Sequence, residues 1–390
     1  IFFFSYLCAT NLSLQISLLM SFDAQYTSYK HFTPPHFESA RNVRPSTAKR
    51  QEWIDCLRGI TMLLVVITHC ETYLAAHHSV ISNFCLAFRM PLFFYISGYF
   101  AYSSKLKIDS PKTIIQPIRR RIIGVLIPTI IFCGLFCLLL DWLGGMSLSE
   151  VIHDSQKGGY WFTIVSFTIF MLCLPLILVS NSPSLKSHTK TALILFVMAF
   201  SAWSRDYLVS HWINYEFVSI SSLEYTLEYL PYFALGILTH INRPILHDKF
   251  DRWWIIVGIV AIYLIASAYA PNLKYRHMDF RFFPFISIFL IALFLIFYRL
   301  RGILHSANPV GKSLSYIGRN TLQIYLMHYF IVILFSMESV QLLHDWKSID
   351  LDYMFPLTIT VSILIICLCL GMDMLLRTLK IRHFFFPKYK

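Results

Sequence analysis

Runs of predominantly apolar residues recur along most of the chain. A helix needs about 20 such residues to cross the hydrocarbon core of a bilayer. Ten windows stand out, at 57–76, 80–101, 122–142, 160–180, 190–204, 223–240, 253–270, 282–300, 314–336 and 354–376. The fifth is short, and the sixth carries Glu224 and Glu228. The other windows read as helix on length and apolar content. No internal repeat is evident. The pattern predicts an all-α polytopic integral membrane protein of about ten transmembrane helices. Residues 1–51 are expected to form a flexible cytoplasmic arm, 52–380 the membrane domain and 381–390 a short basic cytoplasmic tail. Residues 1–19 lack a basic n-region and a small-residue cleavage site, so they do not read as a signal peptide. Met20 is the expected start, with the stretch before it upstream.

Composition strengthens this picture. Of 390 residues, 56% are apolar and 14% charged, against about 25% charged in an ordinary soluble domain. So little charge cannot coat a water-facing surface of this size. A soluble enzyme, a disordered tail and a nucleic-acid module are excluded on that ground. The net charge of +12 needs another source, and its distribution supplies one. With the N-terminus inside, 26 of the 33 Lys and Arg residues fall in cytoplasmic segments and 6 in external loops. That asymmetry obeys the positive-inside rule and puts both termini in the cytoplasm. The remaining one, Arg89, falls inside a span. Eight of nine cysteines sit in or beside apolar runs without metal-ligand spacing, so they read as small hydrophobes. No metal site is expected.

Candidate chemistry then lies with the ionisable groups at membrane depth, which are costly there and mark function by default. Arg58 and His69 are eleven residues apart. On an α-helix that is about 20° beyond three full turns and about 16 Å of rise, so both point the same way. One helix face thus carries a guanidinium at the inner boundary and an imidazole deep in the bilayer. The plain alternative is a core histidine bonded to a neighbouring helix, with Arg58 an inner anchor. Arg89 is followed by Pro91, Ser97 and Gly98. The proline removes a backbone donor, and the small pair permits close helix approach. Arg119, Arg120 and Arg121 stand at a helix mouth, where guanidinium forks suit phosphate oxygens; topology signal and lipid headgroup contact are the plain reading. On a continuous ninth helix, His328 would lie about 13 Å beyond Arg319, at a depth similar to His69. Tyr160, Trp161 and Phe162 read as an aromatic belt at the outer interface. Glu216, Glu224 and Glu228 read as external groups, either solvated or available to a sugar.

Together these residues resemble a family. Arg58-(ten residues)-His69, Phe88-x-Met90-Pro91-x-Phe93-Phe94-x-x-Ser97-Gly98, Tyr160-Trp161-Phe162 and Gly318-x-Asn320-Thr321-Leu-x-Ile-Tyr325-x-x-His328 resemble the membrane acyltransferase-3 family. The nearest flavour is that of fucose 4-O-acetylase-like and polysaccharide O-acetyltransferases. The resemblance runs from about residue 52 to 376. It implies an O-acyltransferase of the cell inner membrane that passes an acyl group, usually acetyl, from cytoplasmic acyl-CoA to a carbohydrate hydroxyl. It carries the essential histidine over to His69 and its basic partner to Arg58, and maps the short second-span motif onto Arg89, Met90, Pro91 and Ser97. Two positions depart from it. Many members have histidine where Arg89 stands, and a second arginine where this chain has Gly124.

The resemblance implies acetyl-CoA as co-substrate, a carbohydrate acceptor and surrounding membrane lipids as partners, and no nucleic acid. His69 is the expected general base, since neutral imidazole accepts protons near physiological pH; an acyl-histidine intermediate is the variant. Arg58, Arg119, Arg120 and Arg121 are expected to hold the coenzyme phosphates. Arg89 or His328 is expected to stabilise the oxyanion or orient the base. A polytopic transporter or flippase for a polysaccharide intermediate is the competing reading, because it too needs buried charge and a cavity.

Overall fold

A computed structural model describes residues 51–75, 84–102, 106, 111–143, 147–211, 215–268, 282–344 and 351–387. The arm at 1–50, the last three residues and the loop at 269–281 lie outside the described residues. Every extended element among them is a helix: α1 Glu52–Cys70, α2 Arg89–Ala101, α3 Pro111–Arg121, α4 Ile127–Trp142, α5 Leu148–His153, α6 Trp161–Ser180, α7 Ser187–His211, α8 Tyr215–Ser221, α9 Leu223–Ile241, α10 Arg243–Phe250, α11 Trp253–Ala268, α12 Phe283–Arg299, α13 Pro309–Arg319, α14 Thr321–His344, α15 Leu351–Thr378 and α16 Arg382–Phe385. The chain is an all-α polytopic membrane protein. Among the described residues six helical stretches are long and apolar enough to cross a bilayer: 52–73, 84–101, 111–142, 161–180, 283–302 and 356–378. Shorter apolar stretches lie at 253–267 and 321–333. The windows at 190–204 and 223–240 fall within α7 and α9 but do not meet that requirement.

Three local features depart from uninterrupted helices, and each has a backbone cause. The chain turns at Ala87 and Phe88, so Pro91 falls in the first turn of α2. A proline there forgoes a hydrogen bond that first-turn residues largely lack, and no mid-helix kink is needed. Between α3 and α4 the helix widens to a π segment at Ile122–Leu126, with Ile127 N–H donating to Ile122 O. Pro128 follows immediately; it has no N–H and clashes with the carbonyl four residues back, and the wider turn absorbs both. The ninth window is not one helix. It breaks at Asn320, so Arg319 ends α13 and His328 belongs to α14. The 13 Å continuous-helix spacing between them is therefore replaced by a corner.

Two backbone crossings set the frame. Gly98 of α2 meets Gly236 of α9 so closely that a Cβ on either would overlap the other helix's main chain. Gly59 of α1 and Gly318 of α13 do the same. In lipid, where apolar side chains gain nothing by leaving their solvent, such close packing drives helix association. Two apolar clusters build on this frame. One gathers Phe94, Tyr95, Tyr229, Phe233 and Phe294 around α2, α9 and α12. The other gathers Met62, Val66, Phe136, Tyr160, Met327 and Ile365 around α1, α14 and α15. Met90 and Phe162 pack against both, and mark the seam between them.

At the end of α15 the buried Asp373 accepts hydrogen bonds from Arg377 Nε at 2.8 Å and Arg382 Nε at 2.7 Å. Phe386 is buried with its ring 5.3 Å from that of Phe132, so the described part of the basic tail is tied to the bundle. Asp373→Asn leaves two guanidinium groups against a neutral amide. Charge-assisted hydrogen bonds are worth about 1.5–3 kcal/mol, and we expect a loss of that order. A lower melting midpoint of the detergent-solubilised variant checks it; an unchanged midpoint refutes it.

Candidate active site

α1 presents the site. Its sequence places no charge in the apolar run between Arg58 and His69, so no other ionisable group separates the two along that face. Both line a single cavity of about 250 Å³ at the seam of the two clusters. Arg121 joins the lining from α3, Arg89 and Ser97 from α2, and Tyr325 and Tyr329 from α14. Met62, Val65, Phe93 and Phe162 supply apolar walls.

The basic end is organised by rings and one carboxylate. The Arg58 guanidinium lies 4.4 Å from the Phe100 ring centroid and 4.0 Å from the Asp55 carboxylate. Arg121 lies 3.9 Å over Phe170. Cation–π contact lets a guanidinium sit in apolar surroundings while its edge keeps its donors for an anion. Arg119 and Arg120 are exposed and do not line the cavity. Successive residues on a helix step about 100° apart, so only one of three consecutive arginines can face inward here.

The other end holds the imidazole. His69 Nε2 is 3.2 Å from the Tyr329 hydroxyl. The Tyr329 and His328 ring centroids lie 5.1 and 5.3 Å from that of His69. Arg89 is buried, and its Nη1 donates to the Val65 carbonyl at 3.1 Å. That carbonyl is one turn before His69, so Arg89 is bound to the helix segment carrying it. Arg89 Nε has no hydrogen-bond partner among the described residues. His328 is fully buried and does not line the cavity. Its Nδ1 lies 3.1 and 2.8 Å from the Ile324 and Tyr325 carbonyls. Carbonyls only accept, so this nitrogen carries the proton. His328 stands behind Tyr329, ring centroids 4.1 Å apart, and is separated from the cavity.

Two expectations change here. Tyr160, Trp161 and Phe162 are not a lipid-facing belt. Tyr160 is fully buried and donates to the Leu326 carbonyl at 2.8 Å, while Trp161 and Phe162 line the cavity. A buried tyrosine needs a partner for its hydroxyl, and the helix opposite supplies one. Glu228 is likewise interior, 4% exposed on α9, because α9 is drawn against α2 at the Gly98–Gly236 crossing. Glu216 is exposed and Glu224 half-buried, paired with His153 and Arg205 at 3.3 Å each.

Sequence reasoning passed over Tyr329 and Gly159, and gave Tyr325 only as a motif position without a role. Gly159 has φ 100°, and a Cβ there would overlap the Tyr329 ring. Its carbonyl accepts from the Tyr325 hydroxyl at 2.7 Å. One signal was available, since Lys157-Gly-Gly-Tyr160 is turn-forming chemistry. Nothing local says which tyrosine that turn touches.

The arrangement can hold an anion at its basic end and move a proton at its imidazole end, inside one cavity. No curated protein and no solved structure matches the chain. A family model for the acyltransferase domain of the acyltransferase-3 family matches residues 51–374, which contain every cavity residue named above. With that match spanning the membrane domain, the chain belongs to the acyltransferase-3 family of membrane acyltransferases.

Proposed function

We propose that the protein transfers an acyl group, acetyl in the first instance, from cytoplasmic acyl-CoA to a hydroxyl of a carbohydrate. The acceptor is a cell-surface polysaccharide or its lipid-linked precursor, and the setting is the cell inner membrane. The observation that supports this reading is a single cavity lined by Arg58 and Arg121 as well as by His69. Phosphates of the coenzyme suit the paired guanidinium groups, and the pantetheine arm suits the apolar walls between them and the imidazole.

In this reading His69 takes the proton of the acceptor hydroxyl as its oxygen attacks the thioester carbonyl carbon. The carbonyl electrons move onto oxygen, and the buried Arg89 is near enough to His69's helix turn to offset that charge. The intermediate collapses as the carbon–sulfur bond breaks, and His69 returns the proton to the departing thiolate. The products are an ester and free CoA.

The test uses purified protein in liposomes, with acetyl-CoA and a polysaccharide acceptor. Release of CoA thiol with matching ester formation on the acceptor supports the reading; acceptor translocation without thiol release overturns it. Arg58→Ala removes one charge-assisted contact of about 1.5–3 kcal/mol. We expect KM for acyl-CoA to rise roughly 10- to 100-fold, with a smaller change in kcat. Unchanged KM and kcat would exclude a coenzyme role for Arg58.

A further inference from the structure

The His69 imidazole does not stand alone. Its Nε2 meets the Tyr329 hydroxyl at 3.2 Å, and that hydroxyl belongs to a ring held on several sides. The His328 ring centroid is 4.1 Å away, that of Tyr160 5.6 Å and that of Phe136 5.9 Å. The last side is closed by backbone: a Cβ on Gly159 would come within 2.7 Å of the hydroxyl oxygen. Only glycine fits there, both for space and for its positive φ.

The turn carrying Gly159 is itself built to stay put. Lys157, Gly158 and Gly159 take φ of 50°, 59° and 100°, a succession that costs free energy at a non-glycine residue. Buried Lys157 holds it by donating from Nζ to the carbonyls of Ile152, Asp154 and Ser219 at 2.7, 2.7 and 3.0 Å. Asp154 accepts from the Gln156 and Gly158 N–H groups at 3.0 and 3.1 Å. Tyr325 fastens the turn to α14: its hydroxyl donates to Gly159 O and accepts from Phe162 N–H at 3.3 Å. Tyr325 and Tyr329 are one helical turn apart, so they share a face. One bonds to the turn and the other is pressed between the turn and the imidazole.

We propose that Tyr329, seated by the Gly159 turn, is the positioning residue of His69. With its oxygen accepting from Nε2–H at this contact, it makes Nδ1 the basic nitrogen that receives the acceptor's proton. This inference rests on the reading of His69 as the base. The neutral imidazole then carries its hydrogen on Nε2 and donates it to the tyrosine oxygen. Nδ1 accepts the hydroxyl proton as the carbon–oxygen bond forms, and gives it to the thiolate as the carbon–sulfur bond breaks. Tyr329 keeps its own proton throughout. A partner on the second ring nitrogen sets tautomer and orientation, as a carboxylate does in serine hydrolases. A neutral phenol supplies orientation without a negative charge, so its effect is smaller.

Tyr329→Phe keeps the ring and deletes the hydroxyl. We expect kcat to fall about 10- to 100-fold, below the roughly 10⁴-fold typical of losing a charged orienting group. KM for acetyl-CoA and for the acceptor should stay within about twofold, as for an interaction made in the transition state. The same substitution in a His69→Ala background should change the residual rate little, because a group acting through the imidazole has nothing left to orient. Gly159→Ala, which displaces the Tyr329 ring, should reproduce the loss of kcat with the tyrosine present. Wild-type rates in Tyr329→Phe, with His69→Ala strongly slowed, overturn this inference and leave the base intact. An equal fractional loss in both backgrounds, or a loss confined to KM, assigns Tyr329 to folding or substrate binding and also overturns it. A wild-type protein that releases no CoA thiol overturns the functional reading, and this inference with it.

Discussion

His69→Ala is expected to lower acyl transfer by about 10²- to 10⁴-fold, the usual contribution of a positioned general base, with the amount of protein in the membrane unchanged. A sugar hydroxyl is a weak nucleophile at neutral pH. Without a base its proton must leave to water, a weaker and unpositioned proton acceptor. The substitution should spare the fold. His69 is only partly buried and lines open space, so the shortened side chain enlarges the cavity without uncovering the packed residues around Met62 and Val66. Initial rates of CoA thiol release, normalised to folded protein, are the measurement. A rate near wild type would remove His69 from the chemistry and leave the cavity without a base.

The second large effect concerns folding. Gly98→Leu should sharply reduce the yield of monodisperse protein after detergent extraction and lower its melting midpoint. At the α2–α9 crossing there is no gap for a side chain: a Cβ on Gly98 meets the main chain of Phe233, and one on Gly236 meets that of Tyr95. Overpacking a well-packed interior costs about 1–3 kcal/mol, and here the obstacle is backbone, which cannot rotate away. The site is displaced with the helix, because Ser97 precedes Gly98 and lines the cavity, while Arg89 begins the same helix. Gly258→Ala is the control. It lies on α11 with open space around it, and alanine is the better helix former by about 1 kcal/mol. Equal stability of Gly98→Leu and wild type would mean that the two helices do not meet at this contact.

Much of this architecture is legible along the chain. Helices cross a bilayer only if their side chains are apolar over about 20 residues, so a one-dimensional pattern suffices to find them, as at 122–142 and 282–300. The Arg58–His69 alignment is legible for the same reason, since both residues ride on one uninterrupted helix and α-helical geometry relates them. Where two residues lie on different segments the pattern falls silent. The corner at Asn320 resets the helical phase between Arg319 and His328. In the new phase it is Tyr329, one position further on, that reaches the cavity, while His328 turns into the core. Likewise Arg119, Arg120 and Arg121 are equivalent as sequence, and only the packing of α3 against Phe170 singles out Arg121.

What the sequence determined by itself is therefore the solvent of this protein, its helices and the face of α1 that carries a guanidinium and an imidazole. These are properties of single segments, set by local geometry and by the cost of charge in hydrocarbon. The tertiary structure alone decided that Tyr160, Trp161 and Phe162 turn inward, that Glu228 is interior, and that a glycine turn presses Tyr329 against His69. Those outcomes depend on which backbones can approach one another, and that is settled only when the glycine crossings bring distant helices into contact.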